Sequence, residues 1–412
     1  MKVFIKLTLK IKKYLLFVFF FLLFFFSLMH TCNFHNYFIA SILSLLILLS
    51  YYLLVGEFYF NNHLSIIEFS FIIFLNVFCL LFTIILKNII WVIFLLEIQT
   101  FLVFGISALF KGVKYLKGIE SSLTYLNPAF LSFVLILISL FLSSISKSFD
   151  SICNILIILA LVIKMGAIPY NFWVSQVLKN LTYNSIILVT LMNKLSIIII
   201  LFNYINNLWF IFIIVGLLSL IFGCFLIINT YSIKEFIAFS SIINSGWIIT
   251  ICSVNVKNMG YVNNEELIGF FLISYYLGIL VFLRYLDKSL NLLEITSSVN
   301  FFVNLNLRSF LMNLSILSLA GIPPLGGFVT KYIFIVQFTE TYGVTITLLI
   351  ILASILSIFS YIRPLITYNS RFNFFIFSPV NINQQLFWVN SLISFVSFII
   401  LLISASFLLI GL

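Results

Sequence analysis

Glu97, Lys164, Lys194 and Lys331 each stand inside a long apolar run, in WVIFLLEIQTFLVFG, LALVIKMGAIP, LVTLMNKLSIIII and GIPPLGGFVTKYIFIV. A charge at the centre of a membrane helix costs roughly 2.5–3.5 kcal/mol on insertion scales. Amines and carboxylates bind and release protons, and a low dielectric disfavours the charged form of either, so both can exchange protons near neutral pH. A Glu–Lys pair that opens and closes loads or releases a proton on the lysine. The four residues therefore point to a path for charge, above all protons, across a membrane. Glu97 and Lys164 form the natural pair, Lys194 the relay and Lys331 the far terminal. Taken alone, Glu97 also fits a structural ion pair; four such residues together fit that reading less well.

The elements that must hold these groups follow from composition. Of 412 residues, 63% are hydrophobic and 8% charged, against about 25% charged in a soluble domain. This is the composition of an all-α polytopic membrane protein with little room for a water-facing domain. The net charge of +10 is read as loops on one side of a membrane and not as nucleic-acid binding. Cys32, Cys79, Cys153, Cys224 and Cys252 are scattered singly, which argues against an iron–sulfur or zinc site. His30, His35 and His63 form no HxxxH pair, so haem held between helices is not expected, and no cofactor or metal is assigned to the chain.

A span needs about 20 apolar residues. Cutting at charges, Asn clusters and Pro gives thirteen candidates, near 14–29, 38–55, 64–86, 88–110, 121–144, 151–170, 183–204, 208–228, 237–254, 267–285, 309–338, 344–364 and 387–411. With the lysine-rich start MKVFIKLTLKIKKY inside, fifteen loop cations fall inside and three, Lys87, Lys147 and Lys257, outside. That asymmetry is what the positive-inside rule requires, and it sets the last span ending outside. The start lacks the Arg, Ser and cleavage site of a transit peptide and reads as an anchor.

Two spans are interrupted. KMGAIPY places Pro169 five residues after Lys164, and AGIPPLGG places Pro323, Pro324, Gly326 and Gly327 just before Lys331. Proline frees a carbonyl, which in lipid must be met by protein or water. Interrupted helices at corresponding places in two halves mark transporters. The breaks lie about 155 residues apart, so five spans from the fourth and five from the ninth fit inverted repeats; two ordinary kinks are the plainer alternative. A restart at Gly326–Gly327 sets a helix N-terminus beside Lys331. That end carries about half a positive charge, which disfavours a cation close to it.

KMGAIPYNFW, LVTLMNKLS, SIKEFIAFSSIINSGW and LAGIPPLGGFVTKY resemble the antiporter-like subunits of respiratory complex I, and within that family the branch called subunit 2 in mitochondria and N in bacteria. The resemblance runs from about 88 to 366 and divides the chain into 1–87, a first repeat 88–228, a second 229–366, and 367–412. It implies an antiporter-like fold of fourteen helices with two inverted five-helix repeats and two discontinuous helices, the first of the fourteen missing here to leave about 13. The family's charged positions map onto Glu97, Lys164, Lys194 and Lys331. Its histidines fall on Asn171, in YNFW, and Asn244, in SSIIN. Asparagine holds water but takes up no proton, so a relay through these positions needs a water wire, for which Asn171, Asn193, Ser240, Ser241, Asn244 and Lys234 are candidates. The implied role is proton translocation in a mitochondrial inner membrane (or a bacterial plasma membrane). Redox chemistry would lie in other subunits, and the partners would be sister membrane-arm subunits and lipids, with no nucleic acid. An independent cation/proton antiporter subunit or a non-pumping scaffold stays open, and no His or acid cluster suggests a quinone site.

Overall fold

The structure is a computed structural model. It describes residues 75–370 apart from 77, 81, 84–85, 87, 110–114, 146–149, 182–185, 187–188, 191–193, 199, 202–207, 231, 255–263, 286–306 and 324. All of these belong to one unit, Phe74–Leu412. The expected spans near 14–29, 38–55 and 387–411, together with Asn193, Pro324 and many of the loop lysines that set the orientation, lie outside the described residues.

Every described element is a helix: α1 (Ile89–Leu109), α2 (Tyr115–Ile145), α3 (Asp150–Met165), α4 (Phe172–Asn180), α5 (Trp209–Ile228), α6 (Ile233–Cys252), α7 (Asn264–Tyr285), α8 (Leu307–Ala320), α9 (Gly326–Tyr342) and α10 (Val344–Ser370). Residues 75–83 and 186–201 are helical wherever they are described. Among the described residues four helices are long and apolar enough to cross a membrane, in α2, α5, α6 and α10. Twenty residues of helix rise about 30 Å, the thickness of the hydrocarbon core.

α6 lies at the centre, packed by α4, α5 and α7. It carries Ser240, Ser241, Asn244, Ser245 and Thr250, all buried. A helix this polar cannot face lipid, and its side chains bond back onto the preceding turn: Ser240 to the Ile237 carbonyl at 2.8 Å, Ser241 to Ala238 at 2.7 Å and Asn244 to Ser240 at 2.7 Å. Its first turn is fixed by a capping box between Ser232 and Glu235. Small residues set its distance from α5: a Cβ on Gly216 would meet Thr250 at 2.4 Å, and one on Gly246 would meet Ser219 at 2.4 Å. Such close approach is how helices associate where water drives nothing.

Both expected interruptions are present, and they are built alike. α3 ends at Gly166 (φ 73°), with Gly166 N–H donating to Ile163 at 3.1 Å and Ala167 N–H to Val162 at 3.2 Å. α8 ends at Gly321 (φ 85°), with Gly321 N–H donating to Ser318 at 3.2 Å and Ile322 N–H to Leu317 at 3.2 Å. Each pair of bonds is a Schellman motif, which needs a left-handed residue and so a glycine. The second break therefore turns at Gly321, ahead of the prolines, and not at Gly326 and Gly327. Those two open α9, and Gly327 serves close packing, since a Cβ there would meet the Ser318 carbonyl at 2.0 Å. A correction concerns the span expected at 151–170. It stops at Met165 and resumes as α4, a stretch read as loop because Ser175, Gln176 and Lys179 dilute its apolar pattern.

Candidate functional site

α1 and α3 bring the first pair together. Lys164 Nζ lies 2.5 Å from Glu97 Oε1, with the lysine side chain 4% and the glutamate 13% exposed. The Thr100 hydroxyl reaches the other carboxylate oxygen at 3.3 Å. Lys164 occupies the last turn of α3, where the negative end of the helix favours a cation. Its neighbours pack the break shut: Trp173, from α4, donates its indole N–H to the Ile163 carbonyl at 3.3 Å and meets the Tyr125 ring edge-on at 5.1 Å. The separation of 67 residues between the two charges is closed because α1 and α3 both pack on α2.

Lys194 is buried and donates to the Ser241 carbonyl of α6. Lys331 is also buried, in the second turn of α9, and donates to the Ala320 carbonyl at 2.8 Å and the Leu319 carbonyl at 3.5 Å. These are the two last carbonyls of α8 that its Schellman motif leaves open. Gly321 makes the room, since a Cβ there would stand 2.8 Å from Lys331 Nζ. The Trp247 ring closes the other side, 5.2 Å from the ammonium. The electrostatics thus differ from the sequence expectation. The ammonium faces the negative end of α8, which favours its charge, and not only the positive end of α9. Among the described residues no carboxylate pairs with Lys194 or Lys331.

Other expected residues sit elsewhere. Asn171 is buried ahead of α4 and makes no capping bond with its side chain. Lys234 closes the end of α4, donating to Leu181 at 2.5 Å and Lys179 at 3.2 Å. Lys179, which falls between the expected spans 151–170 and 183–204, is helical and paired with Glu235 at 2.5 Å, because α4 runs into the N-terminus of α6. Pro169 lies in the first break, and Pro323 is exposed in the second. Sequence reasoning missed Gly166 and Gly321, although a glycine right after the last apolar position of a helix is a readable stop signal. It also missed Trp247, which nothing in the sequence separates from an ordinary core aromatic.

Residues 91–357 match the family described as NADH:quinone oxidoreductase/Mrp antiporter, transmembrane. The chain belongs to that family. Among curated proteins it is 26% identical over 252 residues to NADH-ubiquinone oxidoreductase chain 2 of Sylvisorex granti, covering 61% of this chain and 68% of that one. To chain 2 of Pisaster ochraceus it is 29% identical over 262 residues, covering 62% and 71%. These relatives agree with the subunit 2 resemblance. Among solved structures its fold matches a chain of respiratory complex I from Thermus thermophilus with bound aureothin, with a TM-score of 0.74 at 17% identity over 91% of this chain and 84% of that one. It also matches a chain of the Mrp complex from Dietzia sp., with a TM-score of 0.63 at 15% identity over 84% and 67%. The antiporter-like membrane fold expected from the motifs is therefore the fold of this chain.

Proposed function

We propose that this chain is the subunit 2 component of the membrane arm of a proton-translocating NADH:ubiquinone oxidoreductase. In this reading it lies in a mitochondrial inner membrane, carries no redox cofactor, and packs against sister antiporter-like subunits and lipid. Electron transfer takes place in other subunits. Glu97, Lys164, Lys194 and Lys331 pass protons across, coupled to that chemistry by charge movement along the arm. The observation that carries the reading is the largely buried 2.5 Å pair of Glu97 and Lys164 beside a helix break, with two further buried lysines whose hydrogen bonds go to neutral carbonyls. A buried pair returns little stability for its desolvation cost. A cation held only by neutral groups can lose its proton without leaving a counter-charge behind.

Affinity purification through a tag on this chain tests the assignment. It should bring down an assembly that oxidises NADH with ubiquinone. A chain that purifies without that activity, and exchanges cations for protons in liposomes by itself, is instead an independent antiporter subunit, the reading that the Mrp likeness would then favour.

A further inference from the structure

Among the described residues one cation is seated over an aromatic ring: Lys331 Nζ stands 5.2 Å from the centre of the Trp247 ring. The lysine enters from α9 and the tryptophan from α6. Both are buried, the tryptophan completely. Neighbouring packing fixes where the ring sits. Phe334, one turn after Lys331 on α9, meets it at a right angle, with ring centroids 6.0 Å apart. Gly246, just before the tryptophan, holds α6 close to α5, since a Cβ there would meet Ser219 at 2.4 Å. No polar bond anchors the ring, because the indole N–H makes no hydrogen bond among the described residues.

The ammonium therefore lies between two groups of different kind. On one side are the Ala320 and Leu319 carbonyls at the end of α8, at 2.8 and 3.5 Å. A carbonyl accepts an N–H bond from a neutral amine as well as from an ammonium. On the other side is the ring face, whose quadrupole attracts a cation and offers a neutral amine almost nothing. Among the described residues no carboxylate pairs with Lys331, and the titratable side chain whose field reaches it is the Cys224 thiol of α5. Packing alone does not account for a tryptophan here. An unbonded indole N–H in a buried site is a cost that phenylalanine would not carry. A ring face turned to a cation does account for it, since tryptophan is the strongest aromatic partner for a cation.

We propose that Trp247 is a positioning residue for Lys331: its ring face holds the charged lysine against the end of α8 and has no hold on the neutral one. The indole takes no part in proton transfer, because it donates an N–H and accepts nothing. It acts on how often the lysine is loaded. Without the ring, the ammonium keeps its carbonyls but loses the contact that favours its charge from the α6 side, so a smaller share of the lysines carries a proton. The proposal deepens the relay reading of Lys331 and rests on it.

Trp247→Phe and Trp247→Leu separate the ring face from the space it fills. Both shrink the side chain, and the first keeps a ring. In the intact complex at matched assembly, NADH-driven pumping in sealed vesicles should fall about tenfold with Trp247→Leu, the worth of one desolvated cation–π contact. With Trp247→Phe it should fall by about threefold or less. A second measurement does not depend on pumping. The unfolding midpoint of the full chain in detergent is compared for Trp247→Leu alone and on a Lys331→Gln background, where the amide can still donate to a carbonyl but carries no charge. Trp247→Leu should lower the midpoint by about 2 °C more when the lysine is present. Equal drops on the two backgrounds, or equal pumping by the two Trp247 variants, overturns the proposal. If Lys331→Gln pumps at the parent rate while the two drops differ, the ring contact stands and the relay reading fails.

Discussion

At the scale of single residues, the chain buries three lysines, pairs one with a partly buried glutamate and satisfies them in three ways: an ion pair for Glu97 and Lys164, a mid-helix carbonyl for Lys194, a helix end for Lys331. Removing one partner of a buried pair leaves a lone charge and costs about 3–5 kcal/mol, whereas removing both costs far less. Lys164→Met or Glu97→Gln should therefore each lower the unfolding midpoint of the chain in detergent more than the double variant does. Glu340→Gln, at an exposed site, should stay within about 0.5 kcal/mol. Additive single effects would show that the pair is not coupled in the fold. The four charges were legible in the sequence because each stands out against an apolar run. Trp247 was not, because a tryptophan in an apolar helix carries no local sign that its ring will meet a lysine from another helix.

At the scale of elements, the interrupted helices do the positioning. Each break stops on a glycine that is left-handed and crowded, and the two causes can be separated. Gly321 has φ 85° and would set a Cβ against Lys331, while Gly343 has φ 77° with nothing within 4 Å. Gly343→Ala should cost about 1–3 kcal/mol, the conformational penalty alone, since φ 77° with ψ 172° is a region open essentially to glycine. Gly321→Ala should cost visibly more and impair pumping as well, since it pushes Lys331 off the end of α8. Equal thermal shifts for the two would mean that Gly321 is only a turn residue. Ser232→Ala removes half of a capping box and should cost about 1 kcal/mol without touching pumping, which checks that stability loss by itself is not read as transport loss. The breaks were legible from proline and charge together. Their extent was not: α4 is too short and polar to register as part of a span, and it is held by α6 through Lys234 and Glu235, contacts of long sequence separation.

At the scale of the whole molecule, α6 is the beam on which the proposed relay is strung, buried along nearly all its length and touched by Lys194 and Lys331 from two different helices. Family membership and fold class could be read from four motifs, two at the breaks, one on α6 and one around Lys194. The central claim is that the buried lysines carry protons and do not merely knit the fold. Its most direct test is NADH-driven proton uptake by the intact complex in liposomes, comparing Lys194→Met with Glu340→Gln at matched assembly. The account predicts that uptake with Lys194→Met falls by about tenfold or more, the scale of losing one positioned proton-transfer group, while Glu340→Gln matches the parent. Equal uptake in the two variants would contradict it.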